Sequence, residues 1–177
     1  VYLFENHGDR LMSQRVEWCA EGIPPELDNP ALQNLSYDEF SPRWLEVLAQ
    51  GHAINGLVRE LPAGERAILE PQGILAILVL PLMVKGTFWG FIGFDNCRQA
   101  YPWEAAEVKL LEAAATAFAL HLENYQAELG LHQNWQRERL TQRLVERMRQ
   151  TLEIDQIFEI TTVELRGLLG CDRTVIY

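Results

Sequence analysis

From Trp103 to Gln150 the chain runs for about fifty residues without a proline. The pair Tyr101-Pro102 precedes this stretch. Glu104 and Glu107 then put negative charge in the first turn, where it suits the positive end of a helix dipole. Apolar positions recur at Leu111, Ala115, Phe118, Leu122, Tyr125 and Leu129, in alternating steps of four and three. That spacing keeps one seam of a helix turned toward a partner. An unbroken helix of this length spans roughly 70 Å at about 1.5 Å per residue, so its far end must leave any compact domain. Gly130 is its weak point, costing about 1 kcal/mol relative to alanine. Beyond His132 the seam weakens to Gln136 and resumes at Leu140, Leu144 and Met148, in four-residue steps that disturb a regular supercoil. The pattern predicts a helix that begins on a globular head, leaves it as a shaft, and pairs with a second copy of the chain.

The remaining residues suffice for that head. The chain has 177 residues, 48% of them apolar, and a formal net charge of -10. Nearly all of the excess acid lies before residue 131; after it, seven bases balance seven acids. Such a surface repels phosphate backbones, and no basic patch offsets it, which excludes nucleic acid as the expected partner. No run of about 18 apolar residues is present, so no membrane span is expected. No basic-then-apolar leader is visible either, and a cytoplasmic location is the expectation. Cys19, Cys97 and Cys171 are odd in number, far apart in sequence and not in metal-ligand spacing, as reduced thiols would be.

Within the head, Val1–Glu5 alternates and reads as a strand, Asn6–Asp9 as a turn, and Met12–Ala20 as a second strand completing a hairpin. Residues 22–36 carry Pro24, Pro25 and Pro30 and read as a loop. Ser41-Pro42 is a helix start, a capping hydroxyl followed by proline at the first helical position, and Gly51 is its stop. A strand is expected over Ala53–Arg59 and a short helix over Gly64–Leu69. Ile74–Val84 is almost wholly apolar, as in a strand covered on both faces. Lys85-Gly86 turns it into Thr87–Asp95, where Gly90 and Gly93 suggest close approach of backbone or ligand. Ala113, Ala114, Ala115 and Ala117 would let the long helix lie close to the sheet. Past Gln150 a second helix, 156–169, is expected, capped by Asp155 and stopped by Gly170, then a strand over Thr174–Tyr177. That strand resembles Val1–Tyr2 and suggests that one repeat ends and another begins.

Taken in order, Trp44 with Leu45 and Leu48, Gly51, Leu61-Pro62, Glu65-Arg66, Leu69 and Gly73-Ile74 make this chain resemble a GAF domain. Pro81-Leu82, Gly86, Phe88-Trp89-Gly90-Phe91 and Trp103…Glu107…Leu110 continue the series. The resemblance covers residues 1–128, without the family's first helix; residues 138–177 are similar to the linker, first helix and first strand of a second GAF domain in phytochrome-like proteins and cyanobacteriochromes. It implies an α+β fold: a central antiparallel sheet with helices on both faces, followed by a long signalling helix. It implies a linker helix over 129–152, and the first helix and strand of a following GAF repeat over 153–177. The helix 156–169 is then expected to pack on the head's sheet or helix, in the same chain or a partner.

The resemblance also frames function. Bilin-binding relatives need a pocket cysteine, with histidine beside it; Glu60–Gln72 has neither. Cys97 follows the last strand, away from the expected attachment point, so no covalent bilin and no other cofactor is expected. The three cysteines do not match the relatives that reduce methionine sulfoxide, and the four histidines lack metal-binding partners. Trp44, Phe91 and Asp95 are the candidate ligand-binding residues. The first two read as core before pocket lining, and Asp95 as a strand-end cap before a ligand contact. The expectation is a non-catalytic sensory module that passes a conformational signal along its dimerising helix to an output domain such as a histidine kinase or cyclase. The alternative is a receptor for a nucleotide, tetrapyrrole or other metabolite held without a covalent bond.

Overall fold

The computed structural model describes residues 1–8, 10–150 and 154–175. It forms two compact units, Val1–Glu123 and Asn124–Tyr177. The first is built on a six-stranded antiparallel sheet in the order β3-β2-β1-β6-β5-β4. The strands are β1 (Tyr2–His7), β2 (Leu11–Glu17), β3 (Leu35–Ser36), β4 (Ile54–Leu57), β5 (Ala76–Val84) and β6 (Thr87–Asn96). The helices are α1 (Tyr37–Phe40), α2 (Pro42–Ala49), α3 (Ala63–Leu69), α4 (Ala105–Gln150) and α5 (Ile154–Leu169).

β5 explains its own apolar run. Ile77 and Val79 enter one core with α1, α2 and α3, while Leu78, Leu80 and Leu82 enter a second core beneath α4. All five are 0–1% exposed. Lys85 and Gly86 both take positive φ, 52° and 74°, the backbone a tight two-residue hairpin requires. β6 returns with the same division: Phe91 in the first core, Ile92 and Phe94 against the second.

The two strand glycines of β6 admit β1. A Cβ on Gly90 would sit 2.1 Å from the Phe4 carbonyl oxygen, and one on Gly93 would sit 2.1 Å from the Tyr2 ring. Tyr2 pairs with Gly93 and Phe4 with Phe91, whose rings stack at 5.0 Å. The β1 backbone thus takes the space at Gly90, and the Tyr2 ring the space at Gly93.

Several local expectations change. β1 continues to His7, so the turn begins at Gly8 rather than Asn6. β2 is Leu11–Glu17, shorter than Met12–Ala20. The loop 22–36 contains a 3-10 turn at Pro30–Leu32 and ends in β3, and a one-turn helix, α1, follows it under the Ser36 cap. Ser41 precedes α2 as expected but makes no side-chain cap bond, because its hydroxyl is committed to Glu65. The strand proposed for Ala53–Arg59 stops at Leu57, where a 3-10 turn begins.

α4 runs unbroken through Gly130. Its first turn is anchored by Asn55, which bonds the Trp103 carbonyl at 2.9 Å and amide at 3.3 Å. Of the alanines expected on the sheet, only Ala115 is buried; Ala113, Ala114 and Ala117 face solvent, and Ala119 takes the second contact. This corrects the seam as well. Leu111 and Ala115 pack on the chain's own sheet, whereas Phe118, Tyr125 and Leu129 are exposed and Leu122 is half-buried.

In the second unit, Arg147 of α4 bonds Glu164 of α5 at 2.8 Å. Asp155 lies inside α5 rather than capping it, and Gly170, with φ 62°, follows its end. Thr174 and Val175 form no strand; the rest of that expected strand, Ile176 and Tyr177, lies outside the described residues.

The glycines give opposite expectations. Gly90→Ala must part β1 from β6 and is expected to cost about 3 kcal/mol or more. Gly130→Ala meets no atom within 4 Å and is expected to gain about 1 kcal/mol of helix stability. Urea unfolding of the two variants checks both signs.

Candidate functional site

The candidate site lies between the sheet and the helices α1–α3. Phe4 and Tyr2 from β1, Met12 and Gln14 from β2, and Phe91 and Asp95 from β6 supply its floor. Phe40 and Trp44 come from the helices above, and the loop contributes Leu32. Aromatic packing fixes the wall: Trp44 meets Phe40 edge-on at 4.7 Å and Phe91 at 5.6 Å. What remains open is a cavity of about 40 Å³. A buried water needs about 10–15 Å³ measured this way, so the space matches a few waters, far below the roughly 300–1,000 Å³ of drug-sized sites.

α2 and α3 are locked over the cavity by one buried charge. The Glu65 side chain is fully buried and takes two bonds from Arg43, at 3.0 and 2.7 Å, and one from the Ser41 hydroxyl at 2.7 Å. Burial works to raise its pKa, but the Arg43 and Ser41 donors outweigh it and hold the carboxyl below its ordinary range. The Trp44 indole N–H adds to that bias from outside hydrogen-bond geometry.

Asp95 is the counterpart on β6. Its Oδ1 is shielded from solvent and accepts no hydrogen bond. Burial pushes its pKa up to about 7, with Glu17 adding to the rise and the Val1 ammonium and Tyr2 hydroxyl opposing it. The Tyr2 phenol is itself driven well above its ordinary value, chiefly by burial and then by Asp95. Gln14, only 4% exposed, also leaves its Oε1 without a partner. Each such atom costs about 1–3 kcal/mol when nothing bonds it.

Tyr2, Glu17 and Asp95 also border a second, open groove of about 360 Å³. Cys19 and Cys97 meet in this groove although they are far apart in the sequence. Burial raises both thiols, so they are protonated and weakly nucleophilic near neutral pH.

A family model described as the GAF domain matches residues 2–122. The chain belongs to the GAF family. A methanogenesis regulatory histidine kinase, FilI of Methanothrix harundinacea, is 44% identical over 118 residues, covering 65% of this chain and 13% of the kinase. An uncharacterized protein of Azorhizobium caulinodans is 24% identical over 108 residues, covering 59% of this chain and 15% of its own length. The chain therefore spans less than a sixth of either relative.

Solved GAF structures share the fold. The blue-light absorbing form of the PixJ GAF domain from Thermosynechococcus elongatus superposes with a TM-score of 0.61 at 19% identity, covering 75% of this chain and 80% of that one. GAF3 of Slr1393 from Synechocystis superposes at 0.63 and 18% identity, covering 73% and 85%.

In this GAF head the three candidate ligand residues come together: Trp44, Phe91 and Asp95 line one cavity. Trp44 and Phe91 are 2% and 1% exposed, as core residues are. Gln14, Tyr2 and Glu17 were not singled out from the sequence. Alternation along β1 and β2 could have placed Tyr2 and Gln14 on the inner face, but nothing in it marks their bonding. The histidines are scattered; His7 ends β1 and bonds Ser13 at 2.8 Å.

Glu65→Ala is expected to destabilise the head by about 2–3 kcal/mol, less than a fully buried pair because the freed Arg43 reaches water. Thermal unfolding checks this. The pH profile carries a second expectation with two signs. The depressed Glu65 contributes stability present above the unfolded carboxylate value and lost as pH falls through the folded one. Asp95 does the reverse. Between about 4, where the unfolded carboxyl releases its proton, and about 7, where the folded one does, stability falls as pH rises. Asp95→Asn should flatten that limb and raise stability at mildly alkaline pH, as read from urea midpoints.

Proposed function

We propose that this GAF head is a non-catalytic sensory and regulatory module whose signal passes along α4, as a dimer, to an output domain beyond this chain. One observation carries the reading. A single helix packs on the sheet through Ala115 and Ala119 and then continues past Gly130 with apolar side chains still exposed at Phe118, Tyr125 and Leu129. An exposed line of large apolar groups at seam spacing is the ordinary mark of a partner helix. The histidine kinase relative supports an output of that class, since this chain matches only 13% of it.

In the same reading, 129–152 is the linker and 153–177 begins a following GAF repeat, with α5 as its first helix. The site of action is cytoplasmic; no described helix is long and apolar enough to cross a membrane. The head carries no covalent chromophore, because Glu60–Gln72 offers no thiol. Adding a bilin should leave the purified protein without a covalent, coloured adduct. A receptor role is the second reading, favoured by the unbonded acceptors of Asp95 and Gln14 inside the cavity.

The pairing is tested by multi-angle light scattering. The wild-type chain is expected at twice its 20.3 kDa monomer mass. Phe118→Glu with Tyr125→Glu should raise the dimer dissociation constant at least about tenfold, with the circular dichroism of the head unchanged. A wild type that stays monomeric at high concentration overturns the relay.

A further inference from the structure

We propose that the cavity beneath Trp44 is a site for a compact organic ammonium ion. The proposal names a ligand class for the pocket and rests on the sensory reading above.

Three properties of the cavity converge. Its charged side chains are of one sign, and beside them stands one unbonded donor, the Trp44 indole N–H. No lysine, arginine or histidine lines it, whereas two carboxylates, Asp95 and Glu17, do. A phosphate or carboxylate ligand would find no cation there. The acceptors are also uncommitted. Glu17 already receives the Glu26 and Leu27 amides through Oε2, but Asp95 Oδ1 and Gln14 Oε1 are shielded and bonded to nothing. Gln14 is nine-tenths buried and borders the cavity, so no rearrangement at the surface satisfies it. A ligand that donates N–H bonds and bears positive charge completes both.

The walls suit the same ligand. Tyr2, Phe4, Phe40, Trp44 and Phe91 supply five aromatic rings to its walls. Electron-rich ring faces attract ammonium groups, most strongly where water is excluded. Size then sets a limit. About 40 Å³, at about 10–15 Å³ for each water-sized occupant, admits roughly three or four heavy atoms. A nucleotide or tetrapyrrole requires the helices to move apart; a small alkylammonium does not. The net charge of -10 favours its approach.

Titration of Asp95 adds a signature. With its pKa near 7, the carboxyl is protonated in mild acid, and a bound cation must displace that proton. The groups facing it are the Val1 ammonium and Tyr2 phenol of the first strand, Glu17 of the second, and Cys97 beyond its own strand. Cys19 faces it as well; the Val1 ammonium is the one cation among these groups, and it lowers the Asp95 pKa without bonding Oδ1.

Isothermal titration of the intact chain with methylammonium and isopropylammonium chloride, with Trp fluorescence in parallel, tests the site. Saturable one-to-one binding by at least one of them is expected, with none by isopropanol or acetate. Affinity should fall at least about tenfold in Asp95→Asn and in Gln14→Leu, and should weaken as pH drops from about 8 to about 6. Both variants must keep the wild-type circular dichroism and scattering mass, which separates lost binding from lost fold. Equal binding of isopropanol, no ammonium binding, or binding unchanged in folded Asp95→Asn overturns the proposal. Ammonium binding by a chain that scatters as a monomer would keep the ligand and remove only the relay.

Discussion

The seam between β1 and β6 sets the rest of the head. Gly90 lets the Phe4 carbonyl approach, and Gly93 accepts the Tyr2 ring. Neither strand could pair in this register with a side chain at those two positions. Once paired, Phe4 lies on Phe91, Tyr2 is brought beside Asp95, and the floor of the cavity is complete. The two glycines weaken β6 as a strand, yet the Tyr2 ring over Gly93 recovers apolar contact and borders the site. Close backbone approach and pocket formation are the same event here.

The contact between α2 and α3 depends on a different balance. A buried carboxylate is costly unless its charge is paired and its lone pairs are bonded. Glu65 satisfies both conditions with Arg43 and Ser41. Asp95 satisfies them only in part: the Val1 ammonium and Tyr2 hydroxyl do not offset its burial, Oδ1 stays unbonded, and its pKa rises to about 7. Two acids in one small head are thus driven in opposite directions by their neighbours. The contrast separates a residue that holds the roof in place from one whose bonding is incomplete.

Much of this fold was legible because its elements announce themselves by period. The apolar run of β5 needs cover on both faces, and the proline-free stretch after Trp103 needs to be one helix. The positive φ at Lys85 and Gly86 follows from a two-residue turn. The ordered landmarks from Trp44 to Trp103 pointed to the family before any contact was known. Other features depended on geometry that no period encodes. The Ser41 hydroxyl looked like a cap and serves Glu65 instead, because a buried charge outcompetes a helix end for a donor. Alanines 113–117 looked like one sheet-facing stripe, but helical rotation turns only Ala115 inward and brings Ala119 in after it. The same rotation assigns Leu111 and Ala115 to the head. Trp44, Phe91 and Asp95 were each visible singly; the missing hydrogen bonds of Asp95 and Gln14 are properties of three strands at once.

Any influence of the cavity on the long helix must cross the sheet, and β6 is the element that faces both sides. Phe91 and Asp95 border the cavity. Between them, Ile92 and Phe94 pack toward α4, and Phe94 meets the Trp103 ring at 6.1 Å. Trp103 is in turn tied through its backbone to Asn55 on β4, just before the helix begins. A ligand shifts such a system only to the extent that it binds two packings with different affinity. An ion that fits a cavity of about 40 Å³ forces no wall apart, so that difference has to come from the charge it leaves on Asp95 and from the contacts it makes with the rings. Occupancy that charges Asp95 and fills the space under Trp44 therefore acts on the strand whose opposite face seats the helix. A larger, looser pocket could bind the same ion more easily and would transmit less of it.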